Sequence, residues 1–267
     1  MSTVTHQLSG TRAATPARQT FGRVVRSEWI KLRTLTSTWI GVGAVVVLFV
    51  GVAAIAAATA EPGLGSGDGV QTVLAGADLA GLVIGVIGSL AGAREYGSRM
   101  VSTTFAAVPR RGSVVAAKAI VLGAVLAVTS LVAVLLAFTV GAVVLSGTNA
   151  GSLSLLDDLG DLLGMAGYLT ALGLLGLGAG ILLRNVAGAV GAIVAGILIV
   201  PGLAAGLLPE SVQPVLELLP TSAAAAFTTV RAAGDDVLGA VAGALVLVAW
   251  VLAAVGGAAL ATERRDV

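Results

Sequence analysis

Residues 119–145 read AIVLGAVLAVTSLVAVLLAFTVGAVVL, 27 consecutive residues without a charge. A helix rises 1.5 Å per residue, so about 20 residues cross a hydrocarbon core roughly 30 Å thick. The run is long enough to span a bilayer. It is apolar at almost every position, whereas the strands of a membrane barrel alternate apolar with polar. Five further runs share the pattern, at residues 38–60, 73–93, 164–183, 186–208 and 237–261; the second contains one acid, Asp78, and the others no charge. The whole chain of 267 residues is 57% hydrophobic and 11% charged, with a mean hydropathy of +1.03. Soluble domains carry roughly 25% charged residues, so a water-soluble enzyme is excluded. The expected fold is an all-α integral membrane protein with six transmembrane helices.

The loops set the expected orientation, because Lys and Arg are retained on the cytoplasmic side. Arg12, Arg18, Arg23, Arg26, Lys31 and Arg33 precede the first run, and Arg94, Arg99, Arg110, Arg111 and Lys118 lie between the second and third. Arg184 separates the fourth from the fifth, and Arg264 and Arg265 follow the sixth. With both termini cytoplasmic, 14 of the 15 basic residues are inside and only Arg231 is outside. The acids Glu61, Asp68, Asp157, Asp158, Asp161, Glu210, Glu217, Asp235 and Asp236 then fall in outer loops. Ala58-Thr59-Ala60 resembles a signal cleavage site, but the apolar run before it exceeds the roughly 7–15 residues of a signal peptide. We read it as an anchor. Residues 1–19, rich in Ser, Thr and Ala, are expected to be a disordered cytoplasmic tail, and residues 20–267 a single transmembrane domain.

Little chemistry is left for the aqueous segments. The longest are the 37 residues before the first run, the 25 of 94–118 and the 28 of 209–236, all shorter than a typical domain. The phosphate-loop pattern GxxxxGK[ST] is missing, since the only lysines, Lys31 and Lys118, are followed by Leu32 and Ala119. Cysteine is absent and His6 is the single histidine, which leaves no basis for a thiolate or imidazole metal site. A net charge of +1 gives no argument for nucleic acid. Ser89, Thr129 and Ser130 have no visible activating partner and are expected to bond back to helix carbonyls. Asp78 is expected at the outer interface; its alternative is a place on a central pathway. The 13 arginines against 2 lysines indicate a GC-rich bacterial genome and no mechanism.

Two features point beyond a plain bundle. Gly81, Gly85, Gly88 and Gly92 lie on one face of the second run, and Gly239 and Gly243 share that spacing in the sixth. Small residues let helix backbones approach closely in lipid, so these faces serve packing within the bundle, or else a dimer seam or pathway. Residues 21–35, FGRVVRSEWIKLRTL, form an amphipathic helix when projected at 100° per residue. Its polar side carries Arg23, Arg26, Lys31 and Arg33, which suits a helix lying in the inner leaflet. Glu28 interrupts the apolar side, beside Trp29, and calls for a partner: Lys31 at i+3, or another protein.

The segment 94–118, REYGSRMVSTTFAAVPRRGSVVAAK, is too long and too apolar for a simple connection. A short helix ended by Pro109 would present Tyr96, Met100, Val101, Phe105 and Val108 as a docking ridge. This segment, together with RSEWIKLRTLTSTW at 26–39, resembles the permease subunits of type 2 ABC exporters, in their actinobacterial form. The two runs cover about 40 residues, and the likeness extends over the six spans as topology. The resemblance implies an N-terminal elbow helix at 21–35, with roles for Arg26, Glu28, Trp29 and Lys31. It also implies a cytoplasmic coupling helix that docks on a separate ABC ATPase subunit through Arg94, Glu95, Tyr96, Gly97, Arg99, Met100, Thr103, Thr104, Phe105, Pro109, Arg110 and Arg111. The chain would hold no cofactor, ATP and Mg being bound by that partner, and would pair with a second permease copy or paralogue in a bacterial cell membrane. Residues 209–236 would form short re-entrant helices. The expected function is ATP-driven export by alternating access; a gradient-driven carrier or a non-transporting membrane scaffold is the alternative.

Overall fold

The computed structural model describes residues 20–60, 66–97, 111–148, 153–207, 216–228 and 239–264. All regular structure among these residues is helical. Helix α1 (Phe21–Thr34) is followed by α2 (Thr36–Ala58), α3 (Ser66–Val73), α4 (Ala77–Gly97), α5 (Arg111–Thr148) and α6 (Leu159–Leu183). Then come α7 (Val186–Val194), a π-helical turn (Ala195–Ile199), α8 (Val200–Leu207), α9 (Pro220–Ala225) and α10 (Ala240–Arg264). Six stretches are long and apolar enough to cross a membrane, with α7, the π turn and the start of α8 counting as one. Helices are what an apolar solvent demands, because every backbone donor and acceptor then finds its partner inside its own segment.

Helix α6 is the most buried of the six and α10 the least. Around α6 pack α4, α5, α7 and α10, while α2 lies on α5 and α4. The core runs through Phe49, Leu74, Ile84, Leu122, Leu126, Leu169, Leu172 and Leu177. Apolar side chains on the outside, such as Ile40, Val47, Val143, Val241 and Leu252, are more than 60% exposed, the pattern of a chain whose surroundings are hydrocarbon.

Three boundaries differ from those read off hydropathy. The third spanning helix begins at Arg111, eight residues before the charge-free run, and extends to Thr148. The second begins at Ala77, because Val73 closes the separate helix α3 and Leu74, Ala75 and Gly76 turn into α4. Leu74 and Gly76 of that turn are buried and Ala75 is exposed, with Gly76 packed so closely on Phe49 that a side chain there would meet the Phe49 ring and backbone. The fifth is interrupted by the π turn, where the Val200 N–H donates to the carbonyl of Ala195, five residues back. Pro201 explains the widening: it has no N–H, and its ring pushes against the carbonyl four residues earlier.

Of the segment 209–236, residues 216–228 are described. They contain α9, with Pro220 in its first turn, packed on α10 and α6. The Trp250 indole N–H donates to the carbonyl of Leu218 over 2.7 Å, tying this segment to α10. The tail 1–19 lies outside the described residues.

Candidate functional site

Glu28 and Lys31 of α1, Arg94 of α4 and Lys118 of α5 meet at one end of the bundle. On α1 the inward positions are Val24, Glu28 and Leu32, spaced by four. Val24 packs on Val114 and Ala117 of α5, which carries the Glu28 carboxylate into the interface at 4% exposure. An unpaired carboxylate there would be costly. Glu28 Oε1 accepts from Lys31 Nζ at 2.7 Å and Oε2 pairs with Lys118 Nζ at 2.8 Å. Both lysines of the chain therefore serve one buried acid.

The corner between α1 and α2 is built just beyond this triad. Leu35, with φ −84° and ψ 96°, leaves the helical region and breaks the two helices apart. The Trp39 indole N–H donates back to the carbonyl of Arg33 at 3.1 Å and closes the corner. Arg94, in the last turn of α4, donates to Ser37 Oγ at 2.8 Å. Two residues further, the Tyr96 ring lies under the guanidinium of Arg184, 5.0 Å from its centre. Arg184 holds a left-handed φ of 52° between α6 and α7. Asn185 then caps α7, its side-chain oxygen accepting from the N–H groups of Ala187 and Gly188. At the same end, Gly112 in the first turn of α5 faces Glu263 of α10.

Of the residues given a docking role, Arg94, Glu95, Tyr96 and Gly97 form the end of α4, and Arg111 opens α5. Arg99, Met100, Thr103, Thr104, Phe105, Pro109 and Arg110 lie outside the described residues, and the expected coupling helix with them. Arg26 and Trp29 are exposed on the side of α1 turned away from α5, whereas Glu28 and Lys31 belong to the triad. Sequence reasoning missed Lys118, Ser37 and Arg184 as partners. A pair of lone lysines in a chain with a single acid on an apolar helix face was the available signal.

The glycine face of α4 lies against the other spans. A methyl group at Gly88 would overlap the carbonyl of Gly173, and one at Gly92 the carbonyl of Leu177, both on α6. The approach is reciprocal, since Gly176 meets the carbonyl of Gly85. Gly81 faces Leu172 and Gly85 faces Ile193 of α7. Gly243 abuts the carbonyl of Ala223 in α9, while Gly239 has open space around it. Ser89 and Thr129 donate to the carbonyls of Gly85 and Val125, both over 2.8 Å. Ser130 departs from that expectation: its buried hydroxyl has no hydrogen-bond partner among the described residues. Asp78 is half-buried in the first turn of α4 and lines a cavity of about 10 Å³ with Tyr168, Thr221 and Thr228.

These helices and this basic corner define a polytopic helical membrane protein whose polar contacts concentrate where α4 and α5 emerge. The chain belongs to a known family of that class: the model for the ABC-2 family transporter protein matches residues 24–202, two-thirds of the sequence. The match runs from the buried face of α1 through the first five spans and stops inside α8. No curated protein matches the chain.

Proposed function

We propose that this chain is the membrane subunit of an ATP-binding cassette exporter, moved by a separate cytoplasmic ATPase that docks on the segment joining α4 to α5. The observation that carries the reading is how that segment's two ends are fastened. On its N-terminal side Arg94 is bonded to Ser37, and on its C-terminal side Lys118 is paired with Glu28. A force on residues 98–110 therefore reaches α1 and the start of α2 through polar contacts rather than through lipid-filled space. It also reaches α6 through the α4–α6 glycine seam and through Arg184 over Tyr96.

In this reading α1 is the elbow helix and the coupling helix lies within residues 94–118. Both termini are cytoplasmic, the membrane is a bacterial cell membrane, and the resemblance of residues 26–39 and 94–118 favours the actinobacterial form of the family. Nucleotide and Mg belong to the ATPase, and this chain makes or breaks no substrate bond. Closure of paired ATPases would rock two six-helix subunits, as copies or paralogues, between access to one face and the other. The sparsely buried outer faces of α7, α8 and α10 leave room for such a second subunit.

The chain contains no cysteine, so a single Met100→Cys substitution gives a clean cross-linking site. Co-expressed with the proposed ATPase subunit, the variant is expected to cross-link to it, while a Gly51→Cys control in α2 does not. Equal yields from both positions would remove the docking assignment.

A further inference from the structure

At the end of α4 opposite Arg94, a cavity of about 10 Å³ lies between the first turn of α4, α6 and the segment 216–228. Its polar lining is Asp78 of α4, Tyr168 of α6, and Thr221 and Thr228 of that segment. Thr221 is 2% exposed, and its hydroxyl has no hydrogen-bond partner among the described residues. The cause lies in its position. A helical threonine bonds back to a carbonyl three or four residues earlier, as Thr228 does to Ala224 at 2.8 Å. Thr221 follows Pro220 in the first turn of α9, and Leu219 before them is extended, so no helical carbonyl stands behind it. The nearby Leu218 carbonyl is taken by the Trp250 indole. A buried hydroxyl without a partner is destabilising, and buried polar groups are nearly always satisfied by protein or by ordered water.

We infer that this cavity binds one ordered water molecule, which accepts from the Thr221 hydroxyl, donates to the Asp78 carboxylate and so fastens the segment 216–228 to the first turn of α4. A single water needs roughly 10–15 Å³ and two to four polar partners; the cavity supplies the room of one and four polar side chains to choose from. A lipid headgroup or any other organic ligand is too large for it. Asp78 and Tyr168 each take part in a further interaction, but a carboxylate offers about four lone-pair sites, so it can accept from a water as well. What calls for the water is the unpartnered hydroxyl, not a spare charge. Direct packing holds α9 on α10 and α6, reinforced where Gly243 abuts Ala223 and Gly164 abuts Phe227. A water-mediated bond to Asp78 adds α4 and ties three spanning helices to one short segment.

The test is the sign of one substitution. Thr221→Val keeps the shape of the side chain and removes the hydroxyl. With a bridging water, the melting temperature of the full-length protein in detergent is expected to fall by about 2–4 °C. Were the hydroxyl buried with no partner at all, losing it would leave that temperature unchanged or raise it. The fall is expected to shrink by about half or more in an Asp78→Ala background, a comparison that cancels the other interaction of Asp78. Without any variant, a cryo-electron microscopy map of the wild-type protein fine enough to show ordered water is expected to place one peak within hydrogen-bond distance of Thr221 Oγ1 and of the Asp78 carboxylate. An unchanged or raised melting temperature for Thr221→Val, an equal fall in both backgrounds, or such a map without the peak would overturn the site. A melting temperature raised by sodium chloride but not by choline chloride, and only while Thr221 is present, would put an alkali cation in place of the water and overturn the proposal equally.

Discussion

Glu28 Oε2 lies 2.8 Å from Lys118 Nζ, so an ion pair inside the protein fastens the N-terminal helix α1 to the third spanning helix, α5. The acid is 4% exposed and the Lys118 side chain 14%, whereas Lys31, the second partner, is 33% exposed. The two lysines should therefore contribute unequally. Removing one member of a buried pair costs roughly 3–5 kcal/mol, because the other charge is left behind, while an exposed pair is worth about 0–1 kcal/mol. Lys118→Met is expected to lower stability by about 3 kcal/mol, since Lys31 still faces the acid, and Lys31→Met by less than about 1 kcal/mol. Adding Glu28→Met to Lys118→Met should recover most of the loss. Thermal unfolding of the full-length protein in detergent, analysed as a double-mutant cycle, checks this. Strictly additive effects would show that the pair is not coupled.

The seam between α4 and α6 makes a second prediction. Side chains at Gly88 and Gly176 would run into backbone carbonyls of the facing helix, which cannot rotate away as a side-chain tip can. Gly88→Val and Gly176→Val should each cost at least about 1–3 kcal/mol, the usual penalty of overpacking. Gly191→Ala has nothing within 4 Å and should be neutral or slightly stabilising. The loss of monodisperse protein on size-exclusion chromatography reads the difference. Indifference at Gly88 would mean that the two helices do not meet closely there.

The Arg184–Asn185 turn separates backbone from side-chain effects. Asn185→Ala removes the cap of α7 and should cost about 1 kcal/mol. Arg184→Gly loses the contact over Tyr96, worth about 0.5–1 kcal/mol, but relieves a left-handed residue that costs roughly 1–2 kcal/mol. It is expected to be neutral or mildly stabilising. Arg184→Ala loses the contact and keeps the strain, so its melting temperature should fall below that of Arg184→Gly. The reverse order would contradict the left-handed assignment.

Six spanning helices were legible in the sequence because charge-free length and membrane thickness are one constraint. What hydropathy could not register were polar residues inside helices and turns made of apolar residues. Residues 111–118, RGSVVAAK, read as loop because they carry Arg111 and Lys118, yet they form the first turns of α5. Leu74–Gly76 read as part of a span because an apolar turn packed on Phe49 leaves no polar mark. At the basic corner, Lys31 was visible as a partner for Glu28 by helical spacing alone. Lys118 was not, because a contact between α1 and α5 depends on how three helices pack. Ser37 with Arg94 and Trp250 with Leu218 are pairings of the same kind, joining segments 57 and 32 residues apart.

The central claim is that force enters through the chain between α4 and α5, and co-purification of the proposed ATPase subunit tests it most directly. A variant lacking residues 98–108, inserted in the membrane at the wild-type level, is expected to lose the ATPase from its purified complex. Wild-type recovery of the ATPase with that deletion, together with undiminished ATP-driven transport, would contradict the account.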